Sequence, residues 1–189
     1  MQNRDRRISL AVFTMVAMVL GALPAPAEEG SDSLPWTVED LKESYTVGTK
    51  ITYSRSGTNK KGEEAGGTHY FEVKDVGPKA VAIDSVWQDG GGKSSGFNQY
   101  YWDQDLMFLE SMSKAEFEIT GAEQIETPAG TFDTVVVKVK REFFDDWKRQ
   151  TYWLIPDQPG VYAKLVDHGS DEKPANIVMI LQEVSRPGS

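Results

Sequence analysis

Glu126-Thr127-Pro128-Ala129-Gly130-Thr131-Phe132-Asp133-Thr134-Val135-Val136-Val137-Lys138-Val139 is the stretch on which the reading of the fold turns. Pro128 is preset for the first corner of a type I turn, and Gly130 accepts the positive φ required after it. Behind the turn, β-branched residues recur, and Val135, Val137 and Val139 fall on one face of a strand from Thr131 to Phe144. Ahead of it, Phe117 to Glu126 reads as the partner strand, bent at Gly121. An isolated hairpin is marginal in water, so the rest of the chain must extend it into a sheet.

Toward the C-terminus, Asp145-Asp146 marks the next tip. Trp147 to Ile155 returns and is broken by Pro156. Pro159-Gly160 then opens a strand from Val161 to Val166. The last strand, Ala175 to Val184, holds Ile177-Val178-Met179-Ile180-Leu181. A run that is apolar on both faces belongs in the middle of a sheet.

Toward the N-terminus, Thr49 to Ser56 places Ile51 and Tyr53 on one side, and Asn59 to Gly67 is a polar loop. Thr68 to Val76 alternates, with His69, Phe71 and Val73 opposed to Tyr70, Glu72 and Lys74. After Val76-Gly77-Pro78, Lys79 to Gln88 sets Val81, Ile83 and Trp87 on one face. Asp89 to Ser95 reads as a Gly/Ser turn, and Gly96 to Trp102 as a strand. Leu106 to Leu109 fits no single element.

The one helical signal lies at about 37–45. Thr37 is its N-cap, Asp40 completes a capping box, and Trp36 and Leu41 occupy staple positions. Val38, Leu41 and Tyr45 share a face, and Gly48 stops the helix. The expected fold is mainly β: a curled antiparallel sheet of about eight or nine strands, a half-open barrel, with one amphipathic helix covering it.

Residues 1–27 read as an export signal. Arg4, Arg6 and Arg7 precede an uncharged run from Ile8 to Leu23, and Ala25-Pro26-Ala27 supplies a cleavage site. The run is short for a membrane span, which needs about 20 residues. Arg6-Arg7 raises the twin-arginine route, but its neighbours match that pattern only in part. Residues 28–35 then form a flexible lead-in, 36–184 a single domain, and 185–189 a tail. The expected location is the periplasm or the exterior, with no stable membrane span after cleavage.

The whole chain of 189 residues has a net charge of −9 and no cysteine. Loss of the leader takes away three arginines and Asp5, leaving about −11, which repels nucleic acid and anionic lipid surfaces. With no cysteine at the cleavage boundary there is no lipid anchor, and with no disulfides the domain depends on its core. All five Trp and all seven Tyr lie after the leader.

Catalytic signatures are weak. Gly92-Lys93-Ser94-Ser95-Gly96 matches G-x-S-x-G, but no helix follows, so Ser94 lacks the strand-to-helix elbow of a hydrolase. Gly92-Lys93-Ser94 also ends like a phosphate loop, yet Trp87 stands where its first glycine is required. His69 and His168 are the only imidazoles and sit far apart in sequence. Asp103 and Asp105 lack the glycine and distal glutamate of a calcium loop. The expectation is a non-enzyme with no metal and no cofactor. A concave sheet face must be filled by side chains, by the helix or by an apolar ligand. Tyr53, Phe71, Trp87, Tyr101, Val137 and Trp153 are the candidate ligand-binding residues.

The hairpin Pro128-Ala129-Gly130-Thr131-Phe132 resembles one found in a family of exported bacterial domains of unknown function. So do the valine-rich strand after it, Thr151-Tyr152-Trp153-Leu154, and Pro159-Gly160-Val161-Tyr162-Ala163-Lys164. The opening Leu41 to Tyr53 is also similar, and the likeness spans most of the chain after the leader. That family is similar in architecture to the LolA/LolB-type lipoprotein carriers, in which a half-open barrel wraps a helix and shelters acyl chains. The resemblance implies a periplasmic half-barrel and brings no catalytic residues. It leaves three readings: a binder of an apolar or lipid-like ligand, an envelope scaffold with a filled core that recruits a partner protein, and, remotely, a serine hydrolase.

Overall fold

A computed structural model describes residues 34–102, 106–108, 110–111, 115–143, 146–170 and 172–188. The expected export signal, most of the lead-in, Asp103, Asp105 and Asp145 lie outside these residues.

The short helix α1 (Val38–Ser44) begins as the sequence implies. Thr37 Oγ1 accepts from the Asp40 amide at 3.2 Å, and the Asp40 carboxylate accepts from the Thr37 amide at 2.6 Å. Two of the orphan amides of the first turn are thereby satisfied. Trp36 and Leu41 are both buried. Gly48, at φ 88°, leads the chain out, and its amide donates to the Val73 carbonyl.

Eleven strands follow: β1 (Lys50–Thr58), β2 (Gly67–Val76), β3 (Ala80–Asp89), β4 (Gly92–Tyr101), β5 (Leu106–Phe108), β6 (Glu110–Ser111), β7 (Ala115–Thr127), β8 (Gly130–Phe143), β9 (Asp146–Leu154), β10 (Tyr162–Gly169) and β11 (Pro174–Ser185). Nine of them form one antiparallel sheet in the order β4-β3-β2-β1-β11-β10-β9-β8-β7, and among the described residues β5 pairs with β6 alone. That small hairpin is the stretch whose pattern named no element.

Two meanders are joined where the first strand meets the last. β1 and β11 pair from Lys50–Ser185 to Thr58–Asn176, with a bulge at Thr52/Tyr53. β11 therefore has four strands on each side, the central place its doubly apolar run calls for. The free edges, β4 and β7, come from the middle of the chain. The decisive hairpin forms as read. Thr127 pairs with Gly130, Pro128 and Ala129 make the corners, and Gly130 sits at φ 135°.

The sheet is curled and unclosed. On a flat sheet β7 would stand about 14 Å from β10, three strand spacings away. Cα atoms of β7 instead come within 8 Å of both β10 and β11. The concave face carries the core: Ile51, Tyr53, Phe71, Val73, Val81, Ile83, Val137, Val139, Tyr152, Leu154, Leu165, Met179 and Leu181, with Leu41 of the helix among them.

Strand ends shift by one to three residues from the sequence reading, as where β10 runs on to Gly169, and the start of β4 shifts by four. Asp89 to Ser95 is not all turn: β4 starts at Gly92, and Lys93, Ser94 and Ser95 pair with Gln88, Trp87 and Val86. Small polar residues extend here because they lie on an exposed edge strand, where neighbour pairing, not burial, sets conformation.

Candidate functional site

The two ends of the half-barrel differ. At the end where β1 begins, the interior is filled. Tyr45 stacks on Trp102 with ring centroids 6.3 Å apart, and the Trp102 indole N–H donates to the Gly77 carbonyl at 2.9 Å. Ser44 Oγ donates to the Pro159 carbonyl at 2.9 Å, tying α1 to the turn before β10. Gly160, at φ 82°, lets that turn pass against the Tyr45 ring; a Cβ there would lie 2.2 Å from the Tyr45 oxygen.

Across the middle runs a band of rings. Tyr152 on β9 meets Tyr162 on β10 edge-on at 5.5 Å, and Tyr162 stacks on Tyr53 of β1 at 4.3 Å. Tyr53 meets Phe71 of β2 edge-on at 6.2 Å. Phe71 touches His69 at 4.2 Å, and His69 stacks on Trp87 of β3 at 3.3 Å. The Tyr152 hydroxyl donates to Gln150 Oε1 at 2.9 Å, which explains how a glutamine comes to be buried on this face.

Beyond this band the core side chains of the described residues stop and a cavity of about 390 Å³ opens, within the range of small-molecule sites. Its inner wall is Trp87, Leu165, Ile177 and Met179. Arg55 from β1 and Lys148 from β9 line it half-buried, and Lys60 and Lys61 from the loop after β1 and Lys173 from the turn before β11 stand exposed at its mouth. The register explains the grouping. Arg55 lies opposite Met179, and Met179 opposite Leu165, so one row crosses three strands on the concave face. Lys148 Nζ pairs with Asp167 Oδ2 at 2.7 Å, and Asp167 Oδ1 accepts from the Gly169 amide. The Arg55 guanidinium lies 5.1 Å from the centroid of the Trp87 ring, a cation–π contact.

His69 is 2% exposed. Burial first, and then the charge of Arg55, push its pKa down to about 3. Its Nε2 shares a hydrogen bond with Ser85 Oγ at 2.8 Å, while Nδ1 has no partner. A serine–histidine pair at this distance is within nucleophile–base reach, but among the described residues no carboxylate orients the ring, as a triad requires. Ser94 lies across Trp87 from His69, one strand further along the row. Among the described residues no three His, Asp or Glu side chains converge as a metal site.

The six candidate residues divide by strand parity. Tyr53, Phe71, Trp87 and Val137 are on the concave face, and Trp87 alone of the six lines the cavity; Tyr53, Phe71 and Val137 belong to the packed core beneath it. Tyr101 pairs with Ala80, which puts it on the outer face, 45% exposed. Trp153 pairs with Val136 and Lys164, also outside; its indole N–H donates to Glu123 at 2.6 Å, and Lys164 Nζ lies 4.3 Å from the ring centroid. The sequence reading did not find Arg55, Lys148, Leu165, Ile177 or Met179 as site residues. The available signal was the in-phase pairing of Arg55 with Tyr53, two residues apart on one strand.

No helix among the described residues is long and apolar enough to cross a membrane. No family model matches the chain, and comparison with curated proteins finds no match. Solved structures do match. One is a protein from Bacteroides fragilis assigned as exported, with a YmcC-like fold: 10% identity, 75% of this chain and 97% of that chain covered, TM-score 0.44. A second is assigned as a lipoprotein of Parabacteroides distasonis, at 16% identity, 74% and 96% coverage and TM-score 0.43. A third is assigned as an outer membrane lipoprotein-sorting protein domain of Vibrio parahaemolyticus, at 11% identity, 81% and 93% coverage and TM-score 0.35.

Proposed function

We propose that this chain is an exported, non-enzymatic envelope protein whose single domain, 36–184, takes the apolar part of a lipid-like ligand into the open end of its concave face. The observation that supports it is the unfilled end of the half-barrel: a cavity of about 390 Å³ behind Trp87, Leu165, Ile177 and Met179. A domain without disulfides depends on burying apolar surface, so leaving four apolar side chains beside empty space forgoes stability. An apolar ligand recovers that contact. Trp87 is the candidate residue that would touch the ligand, while Tyr53, Phe71 and Val137 would support the floor.

Native mass spectrometry of the gently purified protein, followed by titration with a fluorescent fatty-acid probe, tests the reading. Co-purified lipid or saturable probe uptake is expected. A protein that carries no lipid and takes up no probe overturns it.

A second reading, an envelope scaffold, is favoured by edge strand β4. Its outward Phe97 is 65% exposed and Tyr101 45%, on a strand that among the described residues is paired on one side only. Crosslinking in the envelope that recovers one specific partner, lost in Phe97→Asp, would support this reading; recovery of none counts against it.

A further inference from the structure

We infer that the mouth of the cavity selects an anionic head group, so that the occupant is an amphiphile carrying a carboxylate or a phosphate. The inference rests on the cavity reading above and adds the chemistry of the ligand's polar end.

The charge distribution is the first observation. The chain holds 29 acidic and 20 basic residues, so a patch chosen at random should favour acids. Among the described residues, the cavity lining holds Arg55, Lys60, Lys61, Lys148 and Lys173 against one carboxylate, Asp167. That carboxylate already accepts from Lys148 and from the Gly169 amide. A net positive mouth on a negative protein, with low-dielectric walls behind it, concentrates anions.

Arg55 supplies the second observation. It stands on β1 near the centre of the sheet, where side chains on this face are otherwise core. Its guanidinium is held against Trp87, and its Nε is buried without a hydrogen-bond acceptor. An unsatisfied buried donor on a cation costs free energy that a carboxylate or phosphate oxygen would return. The third observation is the order of the groups. The apolar Leu165, Ile177 and Met179 lie deep, while Lys60, Lys61 and Lys173 are exposed at the rim. A chain pointing inward and an anion pointing outward match that order.

The test uses delipidated protein and four probes with the same chain, each below its micelle concentration: dodecanoate, dodecyl phosphate, dodecanol and dodecyltrimethylammonium. Acetate and inorganic phosphate are run alongside. The two anionic amphiphiles should bind about tenfold or more tightly than dodecanol, the scale of one charge-assisted hydrogen bond. Arg55→Gln should remove about that factor for the anions and leave dodecanol unchanged, and Arg55→Lys should restore most of it. Lys60→Gln with Lys61→Gln, on an exposed loop away from the core, should weaken anion binding and flatten its salt dependence. This pair keeps the test decisive if Arg55→Gln fails to fold.

Which of the two anionic amphiphiles binds more tightly identifies the head group, and a preference for either supports the inference. Dodecanol binding as tightly as the anions overturns the head-group inference and leaves the cavity reading standing. Acetate or inorganic phosphate binding as tightly as the amphiphiles also overturns it, because the mouth would then be a small-anion site. If no dodecyl probe binds, both readings fall.

Discussion

His69 is a buried imidazole stacked on Trp87 and kept neutral by its surroundings. Its folded pKa, about 3, is below the unfolded value of 6.5. The unfolded chain therefore takes up a proton first as pH falls. The stabilisation is complete above 6.5 and is lost progressively as pH falls toward 3. Between pH 7 and 4.5 this single group should cost the wild type about 2–3 kcal/mol more than His69→Gln loses. Urea unfolding of both proteins at the two pH values measures the difference, and carboxylates common to both cancel.

Tyr45 gives a second test at this scale. Its hydroxyl is buried and without a partner, and burial raises its pKa. Tyr45→Phe should cost nothing or stabilise by about 1 kcal/mol, because an unsatisfied group leaves the interior. Gly160→Ala, on the other side of that contact, should destabilise strongly through both its positive φ and the clash. Thermal melts of the two variants should move in opposite directions or leave Tyr45→Phe unmoved.

Residue placement was the least legible level. On β9 the odd positions Thr151 and Trp153 look no more polar than the even Gln150 and Tyr152. The even set faces inward because Gln150 is satisfied by the Tyr152 hydroxyl. On β4, Tyr100 and Tyr101 are chemically alike, and only the pairing of Tyr101 with Ala80 shows which one points outward. A tyrosine or tryptophan at a strand position does not declare its face without register.

Elements were read well where the local chemistry is strong. Thr37 and Asp40 specify the start of α1, and Thr37→Ala should cost about 1 kcal/mol. Urea denaturation should show it as a lower midpoint with unchanged slope. Pro128 and Gly130 set the β7–β8 hairpin, and Ile177 to Leu181 marked β11 as central. The start of β4 is not legible in the sequence because Gly92, Lys93 and Ser94 are turn-formers by composition and become strand only by pairing with β3. The β5–β6 pair is not legible either, because strands of three and two residues are too short for a period to show.

At the scale of the molecule, the joining of β1 to β11 could not be read locally, since it pairs residues from opposite ends of the chain. It is nonetheless what builds the site. It brings Arg55 beside Met179, in the row that continues through Leu165 to Tyr152. The helix packs at one end of the curl, and the cavity lies at the other. Ile177→Trp places a larger ring in that space. It should abolish uptake of a fatty-acid probe while leaving the melting temperature equal or higher, whereas loss of uptake with a fall in stability would mean only that the core was damaged.

The most direct test is a crystal structure of the protein grown with dodecanoate brominated at its terminal carbon. The account predicts an anomalous bromine peak among Trp87, Leu165, Ile177 and Met179, with the carboxylate within hydrogen-bond reach of Arg55. A cavity that stays free of the probe at saturating concentration, or a peak outside the half-barrel, would contradict it.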